Sequence, residues 1–200
     1  VLIVSHIRPD GDAVGALLGM GLGLQDMGKQ VQMVLTDGVP GSCKHLNGAD
    51  QVLRKPDGEF DLIISVDASD LKRTGAALES YRKPDINIDH HVTNDSFGRI
   101  NFILPKAVAT SEILAEFLNY WGIEMTPGIA NALLTGILTD SLGFRTSNVK
   151  PKTLRLAADL MEKGADLPLQ YTHALLKRSF NAARYWGAGL SSLARDDRMV

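Results

Sequence analysis

His6, Asp10 and Asp12 fall within the stretch Ser5-His6-Ile7-Arg8-Pro9-Asp10-Gly11-Asp12-Ala13. One imidazole and two carboxylates so close together are a donor set suited to a metal ion. Without a cation, neighbouring carboxylates repel and raise each other's pKa. Read alone, the loop has a plain alternative. Asp12 could be a helix N-cap, Asp10 a charge stabilised by the same helix dipole, and His6 an ordinary loop histidine. Two further strand-like runs end in similar chemistry. Leu62 to Val66 is followed by Asp67, and Asp85 to Ile88 by Asp89-His90-His91. A fourth candidate, Asp140, closes the helical pattern Ile129 to Thr139 and precedes Gly143-Phe144-Arg145. One acidic strand end is ordinary, but three, one carrying His-His, are hard to explain as caps.

Imidazoles and carboxylates without a thiolate suit Mn²⁺, with Mg²⁺ or Co²⁺ as substitutes, better than structural zinc. Several carboxylates suggest two ions sharing one of them. Two divalent ions would balance the charges of Asp10, Asp12, Asp67 and Asp140, which repel one another otherwise. Arg145 reads equally as a phosphate clamp or as half of a salt bridge. Asp70 reads as the cap of a helix starting at Leu71. His45 and His173 read as ordinary surface or partly buried histidines. Trp121 and Trp186 read as core, and Cys43, in a polar stretch, as having no special role.

These residues need a scaffold that brings strand ends together. Val1 to Val4, Val31 to Leu35, Leu62 to Val66 and Asp85 to Ile88 read as strands; Gln51 to Leu53 reads as a short one, and Ile100 to Leu104 as an edge. Ala13 to Met27 reads as a helix ended by Gly28. Its Gly15, Gly19 and Gly23, at four-residue spacing, let another backbone approach. They are no dinucleotide fingerprint, because position 24 is leucine and the glycines lie within the helix. Leu71 to Tyr81 is a weaker helix. Ala109 to Trp121, Pro127 to Thr139 and Pro151 to Lys163 are stronger ones, and Leu167 to Leu176 and Asn181 to Leu193 continue the trend. Alternating strands and helices predict an α/β fold, a parallel sheet covered on both faces. Its strands then end on one side, where such sheets bind ligands.

The balance of 21 basic and 23 acidic residues, net charge -2, carries no broad nucleic-acid footprint. A phosphate-bearing substrate would be held locally, by metals or a few cations. With 44% apolar residues the chain can build a real core. A single cysteine excludes an internal disulfide and fits a reducing, cytoplasmic setting. The apolar run Ala13 to Leu24 is shorter than the ~20 residues a membrane span needs. The chain opens at Val1 inside a strand and closes at Arg195 to Val200 just after a helical stretch, so both ends read as cut.

The four motifs together, His6-x-x-Pro-Asp10-Gly-Asp12-Ala13, Val66-Asp67-x-x-Asp70, Asp89-His90-His91 and Thr139-Asp140-Ser-x-Gly143-Phe144-Arg145, resemble the DHH phosphoesterase family, in family order. Asp89-His90-His91-Val92-Thr93-Asn94, followed by Ala109-Thr110-Ser111-Glu112, is most similar to the branch of bacterial oligoribonucleases (nanoRNases) and pAp phosphatases. The resemblance implies two Mn²⁺ ions. His6 and Asp10 would bind one, Asp12, His90 and Asp140 the other, and Asp67 would bridge them. His91 would contact the scissile phosphate or act as general acid, and Asp89 would orient a histidine. It implies hydrolysis of phosphodiester or phosphomonoester bonds in short oligonucleotides or nucleotides by a two-metal hydroxide mechanism.

The resemblance also implies a catalytic domain over residues 1–150. Residues 151–200 would be a helical extension towards a smaller C-terminal domain, which closes over the substrate with a glycine-rich histidine motif not found here. Rival substrates within the family are pyrophosphate, polyphosphate, cyclic di-AMP and single-stranded DNA ends. A non-catalytic nucleotide-binding module is a further rival, against which the six intact ligand positions argue. The third is an unrelated α/β domain whose acids cap helices. The helices Pro151 to Lys163 and Asn181 to Leu193 offer either a homodimer face or a cover for the sheet.

Overall fold

In the computed structural model, which describes residues 1–177 and 180–194, five short strands form one parallel sheet. They are β1 (Leu2–Val4), β2 (Gln32–Val34), β3 (Ile63–Val66), β4 (Ile86–Asp89) and β5 (Ile100–Ile103), in spatial order β2-β1-β3-β4-β5. β1 and β3 are buried throughout, which is why they read as unbroken apolar runs. β5 is an edge, with Ile100 63% exposed. Val4 pairs with Ser65 and Val66 with Ile88, so the residues following β1, β3 and β4 emerge on one side of the sheet.

One face of the sheet carries α1 (Gly11–Asp26), α2 (Thr110–Phe117) and α3 (Pro127–Asp140), which share the main core with it. The glycine spacing in α1 has a physical use. A Cβ on Gly15 would stand 2.4 Å from the Ala132 carbonyl oxygen, and one on Gly11 2.4 Å from Thr139 Cγ2. Helices α1 and α3 therefore meet with backbone against backbone. Beyond them, α4 (Pro151–Glu162) buries Thr153, Ala157 and Leu160. α5 (Leu167–Tyr171) runs into a π-helical turn, Thr172–Leu176, and α6 (Phe180–Ser191) is exposed along its length. Among the described residues no helix is long and apolar enough to cross a membrane.

The structure revises several expectations. Leu71–Leu78 is not an α-helix but a 3-10 segment broken at Gly75, which has a φ of 61°. A Cβ there would meet Ile7 Cγ2 at 2.4 Å, so the first loop pins this position. The segment covers the other sheet face through Ala77 and Leu78, packed on Leu2, Val4, Val34 and Ile63. Asp70 caps it as expected, accepting from Arg73 N at 3.1 Å. Gln51 to Leu53 is a 3-10 turn, Ala49–Gln51, followed by one parallel bridge from Leu53 to Val34. The helix expected to reach Trp121 stops at Phe117 and tightens into a 3-10 turn. Cys43 is buried in the main core despite its polar neighbours, whereas Trp121 and Trp186 are 39% and 65% exposed. Arg195 to Val200 lies outside the described residues.

Candidate metal centre

The first loop leaves β1 at His6 and turns into α1 through Arg8, whose φ is 53°. Asp10, not Asp12, caps the helix. Its Oδ1 accepts from the N–H groups of Asp12 and Ala13, both at 3.0 Å. That frees Asp12 to reach across the core. Fully buried, it accepts from Thr110 N at 2.6 Å and Ser111 N at 2.9 Å, the opening N–H groups of α2. A helix N-terminus is a favourable seat for an anion. Asp67 leaves β3 in the left-handed region, φ 56°. Asp140 stands at the C-terminus of α3, where the helix dipole disfavours a carboxylate unless a positive charge is near.

These residues converge. Asp67 lies between two groups, with Oδ2 3.5 Å from His6 Nε2 and Oδ1 3.7 Å from His90 Nε2. His6 Nε2 is also 3.8 Å from Asp10 Oδ1. His90 Nε2 is 3.2 Å from Asp140 Oδ2 and 4.0 Å from Asp12 Oδ2. His6, Asp10 and Asp67 form one group whose donor atoms lie within 4.8 Å of one another; Asp12, His90 and Asp140 form a second. Both imidazoles are turned the same way. Nδ1–H of His6 donates to the Ile7 carbonyl at 2.8 Å and that of His90 to the Ala107 carbonyl at 3.4 Å. Each Nε2 is left facing carboxylates, and that of His90 is buried with no hydrogen-bond partner. This is how imidazoles are held when Nε2 is to ligate a metal.

Asp89, His90 and His91 form a third grouping with Asp67, but Asp89 is already occupied. Its Oδ1 accepts from His90 N at 2.8 Å and His91 Nδ1 at 2.7 Å, and its Oδ2 from Asn94 Nδ2 at 2.6 Å. Asp89 therefore orients His91 and leaves the other ring nitrogen of His91 free. Arg145 is exposed; its Nε donates to the Leu142 carbonyl at 3.1 Å, and it has no salt bridge among the described residues. His45 and His173 stand apart from the cluster, their rings tilted against each other with centroids 3.8 Å apart.

The electrostatics match a cluster short of positive charge. Burial and the charges of Asp67 and Asp140 push Asp12 well above the usual carboxylate range. Burial, with Asp67 and Asp10, pushes Asp140 up against the pull of His90. Burial alone would lower His6, but Asp10 and Asp67 outweigh it and raise it to about 10. His90 is likewise raised to about 10 against burial, by Asp140, Asp12 and Asp67. Burial opposes it, yet Asp10 falls to about 2 because His6 and the N–H groups of Ala13 and Asp12 favour its charged form. The bond from Asp89 raises His91 despite partial burial. The carboxylates that burial and like charge disfavour are those that a divalent cation would favour.

Residue reading did not single out the oxygens and N–H groups that hold the ligands in place. Thr110, whose hydroxyl also donates to Asp67 Oδ1 at 3.0 Å, Ser111 and the Ala107 carbonyl are far away in the chain. The run Ala109-Thr110-Ser111-Glu112 is the only signal for Thr110 and Ser111, and Ala107 has none.

A family model described as "DHH family, N-terminal domain" matches residues 1–137, ending just before Asp140. The chain is 34% identical over 199 residues to a bifunctional oligoribonuclease and PAP phosphatase of Thermus thermophilus, covering 97% of this chain and 59% of that protein. It is 24% identical over 169 residues to a probable manganese-dependent inorganic pyrophosphatase of Exiguobacterium, covering 81% of this chain and 54% of that protein. Among solved structures, an exopolyphosphatase-related protein from Bacteroides fragilis superposes with a TM-score of 0.84 at 27% identity, covering 98% of this chain and 62% of that one. The chain thus spans about three fifths of the length of these relatives.

Proposed function

The chain belongs to the DHH family, and from that premise we propose that it forms the catalytic domain of a phosphoesterase dependent on two Mn²⁺ ions. Its substrates are short oligonucleotides or nucleotides such as pAp, cleaved at a phosphodiester or phosphomonoester bond. The observation that carries this reading is the position of Asp67, with one oxygen towards His6 and the other towards His90. In this reading His6 and Asp10 would hold one ion, Asp12, His90 and Asp140 the other, and Asp67 would reach both. Two such ions would supply Lewis-acid stabilisation of the attacking and leaving oxygens of an in-line displacement.

The remaining roles fall to the chain's own groups. His91, whose protonated form the bond to Asp89 favours, has a second ring nitrogen from which to give a proton to the leaving oxygen. Arg145, free of acidic partners among the described residues, binds a substrate phosphate. Manganese is supported by the donor set and by the printed name of the Exiguobacterium relative. Residues 1–150 make up the catalytic unit in this reading, and 151–200 the arm towards a second domain. In this reading the protein works in the cytoplasm, a setting that suits its free, buried Cys43.

The test is hydrolysis of a diribonucleotide, pAp, cyclic di-AMP and pyrophosphate by the full-length protein, with Asp67→Asn as control. Turnover of the first two, lost in the variant, is the expected result. Preferred turnover of pyrophosphate would favour the second reading, to which the Exiguobacterium similarity points. Undiminished turnover in Asp67→Asn would remove Asp67 from the bridge.

A further inference from the structure

We propose that the Thr110 hydroxyl holds Asp67 in its bridging orientation; the inference rests on the two-ion reading above. Among the described residues the Asp67 carboxylate accepts one hydrogen bond, from Thr110 Oγ1 to Oδ1 at 3.0 Å. Nothing on its own strand holds it, because Asp67 leaves β3 in the left-handed region and its N–H is taken by the Ile88 carbonyl at 2.9 Å.

Thr110 is well placed to act as the fixed point. It is fully buried, and its own N–H is locked to Asp12 Oδ2 at 2.6 Å. Its branched Cβ restricts χ1, so the hydroxyl has few alternatives. The first turn of α2 is wedged in turn against α3. A Cβ on Gly136 would stand 2.0 Å from Ser111 Oγ and 2.7 Å from Asp12 Oδ1.

The consequence is chemical. A carboxylate oxygen has two lone pairs. On Asp67 Oδ1 the hydroxyl takes one, and the other is left for a cation on the His90 side, while Oδ2 faces His6. For Asp67 to swing round and chelate a single ion with both oxygens, it would have to break the bond to Thr110. Thr110 is thus a positioning residue. One turn of α2 places two carboxylates at once, Asp12 through backbone N–H groups and Asp67 through a side chain.

The test compares Thr110→Val, which keeps the shape without the hydroxyl, with Thr110→Ser, which keeps the hydroxyl, in the full-length protein. Mn²⁺ binding is read by calorimetry and exchange coupling between the ions by electron paramagnetic resonance; neither requires turnover. The wild type and Thr110→Ser are expected to bind two coupled ions. Thr110→Val is expected to bind the weaker ion about 10- to 100-fold less tightly and to lose the coupled signal, while circular dichroism shows the metal-free variant folded as the wild type is. Thr110→Ala, with the same expectation, replaces Thr110→Val if the latter does not fold. A hydroxyl-free variant that keeps both affinities and the coupling overturns the inference alone. A wild type without coupled ions overturns the two-ion reading and the inference with it.

Discussion

The two ends of the sheet treat buried carboxylates in opposite ways. Where β4 begins, Asp85 accepts from Ile63 N at 2.9 Å, Arg82 Nη2 at 2.7 Å and Arg99 Nη1 at 3.1 Å. The Ile63 N–H, with the two guanidinium groups, holds it below the usual carboxylate range despite desolvation. At the other end, Asp12, Asp67 and Asp140 have no arginine or lysine beside them among the described residues and share the imidazoles of His6, His90 and His91. There Asp12 and Asp140 are driven upwards instead. A carboxylate that the protein supplies with its own cations is part of the fold. A carboxylate cluster that shares only imidazoles is an arrangement that a divalent cation would fit.

Neutralising one member at each end breaks this comparison most directly. Asp67→Asn should lower turnover by about 10³-fold or more, since a metal site supplies several kcal/mol to the transition state. Asparagine tolerates the left-handed backbone at this position, so the fold should survive; circular dichroism and a melting curve check that. Mn²⁺ at about a hundred times its Kd should stabilise the wild type by about 2.7 kcal/mol. That gain should shrink in Asp67→Asn, as measured by denaturant unfolding with and without a chelator. Metal uptake at pH 8 should also release protons, because His6 and His90 are protonated at that pH in the metal-free cluster. Calorimetry in buffers of different ionisation enthalpy counts them.

At the other end, Asp85→Ala should leave turnover per folded molecule unchanged and cost about 1–3 kcal/mol of stability, as the buried Ile63 N–H loses its partner. A loss of metal affinity in this variant would break the comparison. The pH dependence sharpens it. His6 and His90 bind protons more tightly folded than unfolded, so their contribution is complete below pH 6.5 and is lost as pH rises towards 10. Asp85 has the reverse sign; its contribution is present above pH 3.8 and fades as acid protonates it. Metal-free protein should therefore lose stability on the alkaline side, and saturating Mn²⁺ should flatten that slope. A metal-free protein equally stable at pH 6 and 9 would contradict the charge arrangement. The smallest effect is expected at exposed Arg145. Its replacement by alanine should raise KM about 3- to 10-fold, in keeping with the ~1 kcal/mol of an exposed ionic contact, and leave kcat nearly unchanged.

Much of this was legible in the residues because a parallel sheet turns a linear pattern into a spatial one. Apolar runs ending in His6, Asp67 and Asp89 must deliver those ends to one side. What was not legible depended on distant partners. Asp10 and Asp12 are both competent caps. Which of them caps is decided by Thr110, 98 residues along the chain, which engages Asp12 and leaves Asp10 to the helix. Gly75 breaks a locally plausible helix because Ile7 occupies the space beside it. Cys43, between Ser42 and Lys44, gives no local sign that its loop folds inward to the core. Local pattern predicts elements well, but it cannot show which contacts made elsewhere will override it.

The left-handed backbone of Asp67 has a consequence for anyone who sets out to improve this protein. Glycine occupies that conformation without penalty, whereas a residue with a Cβ gives up about 1 kcal/mol. Asp67→Gly would relieve that backbone cost, but it would leave the Thr110 hydroxyl without its acceptor and take from His6 and His90 a carboxylate that raises them. Asparagine, which tolerates the same backbone and can still accept from Thr110, is the replacement the turn should bear best.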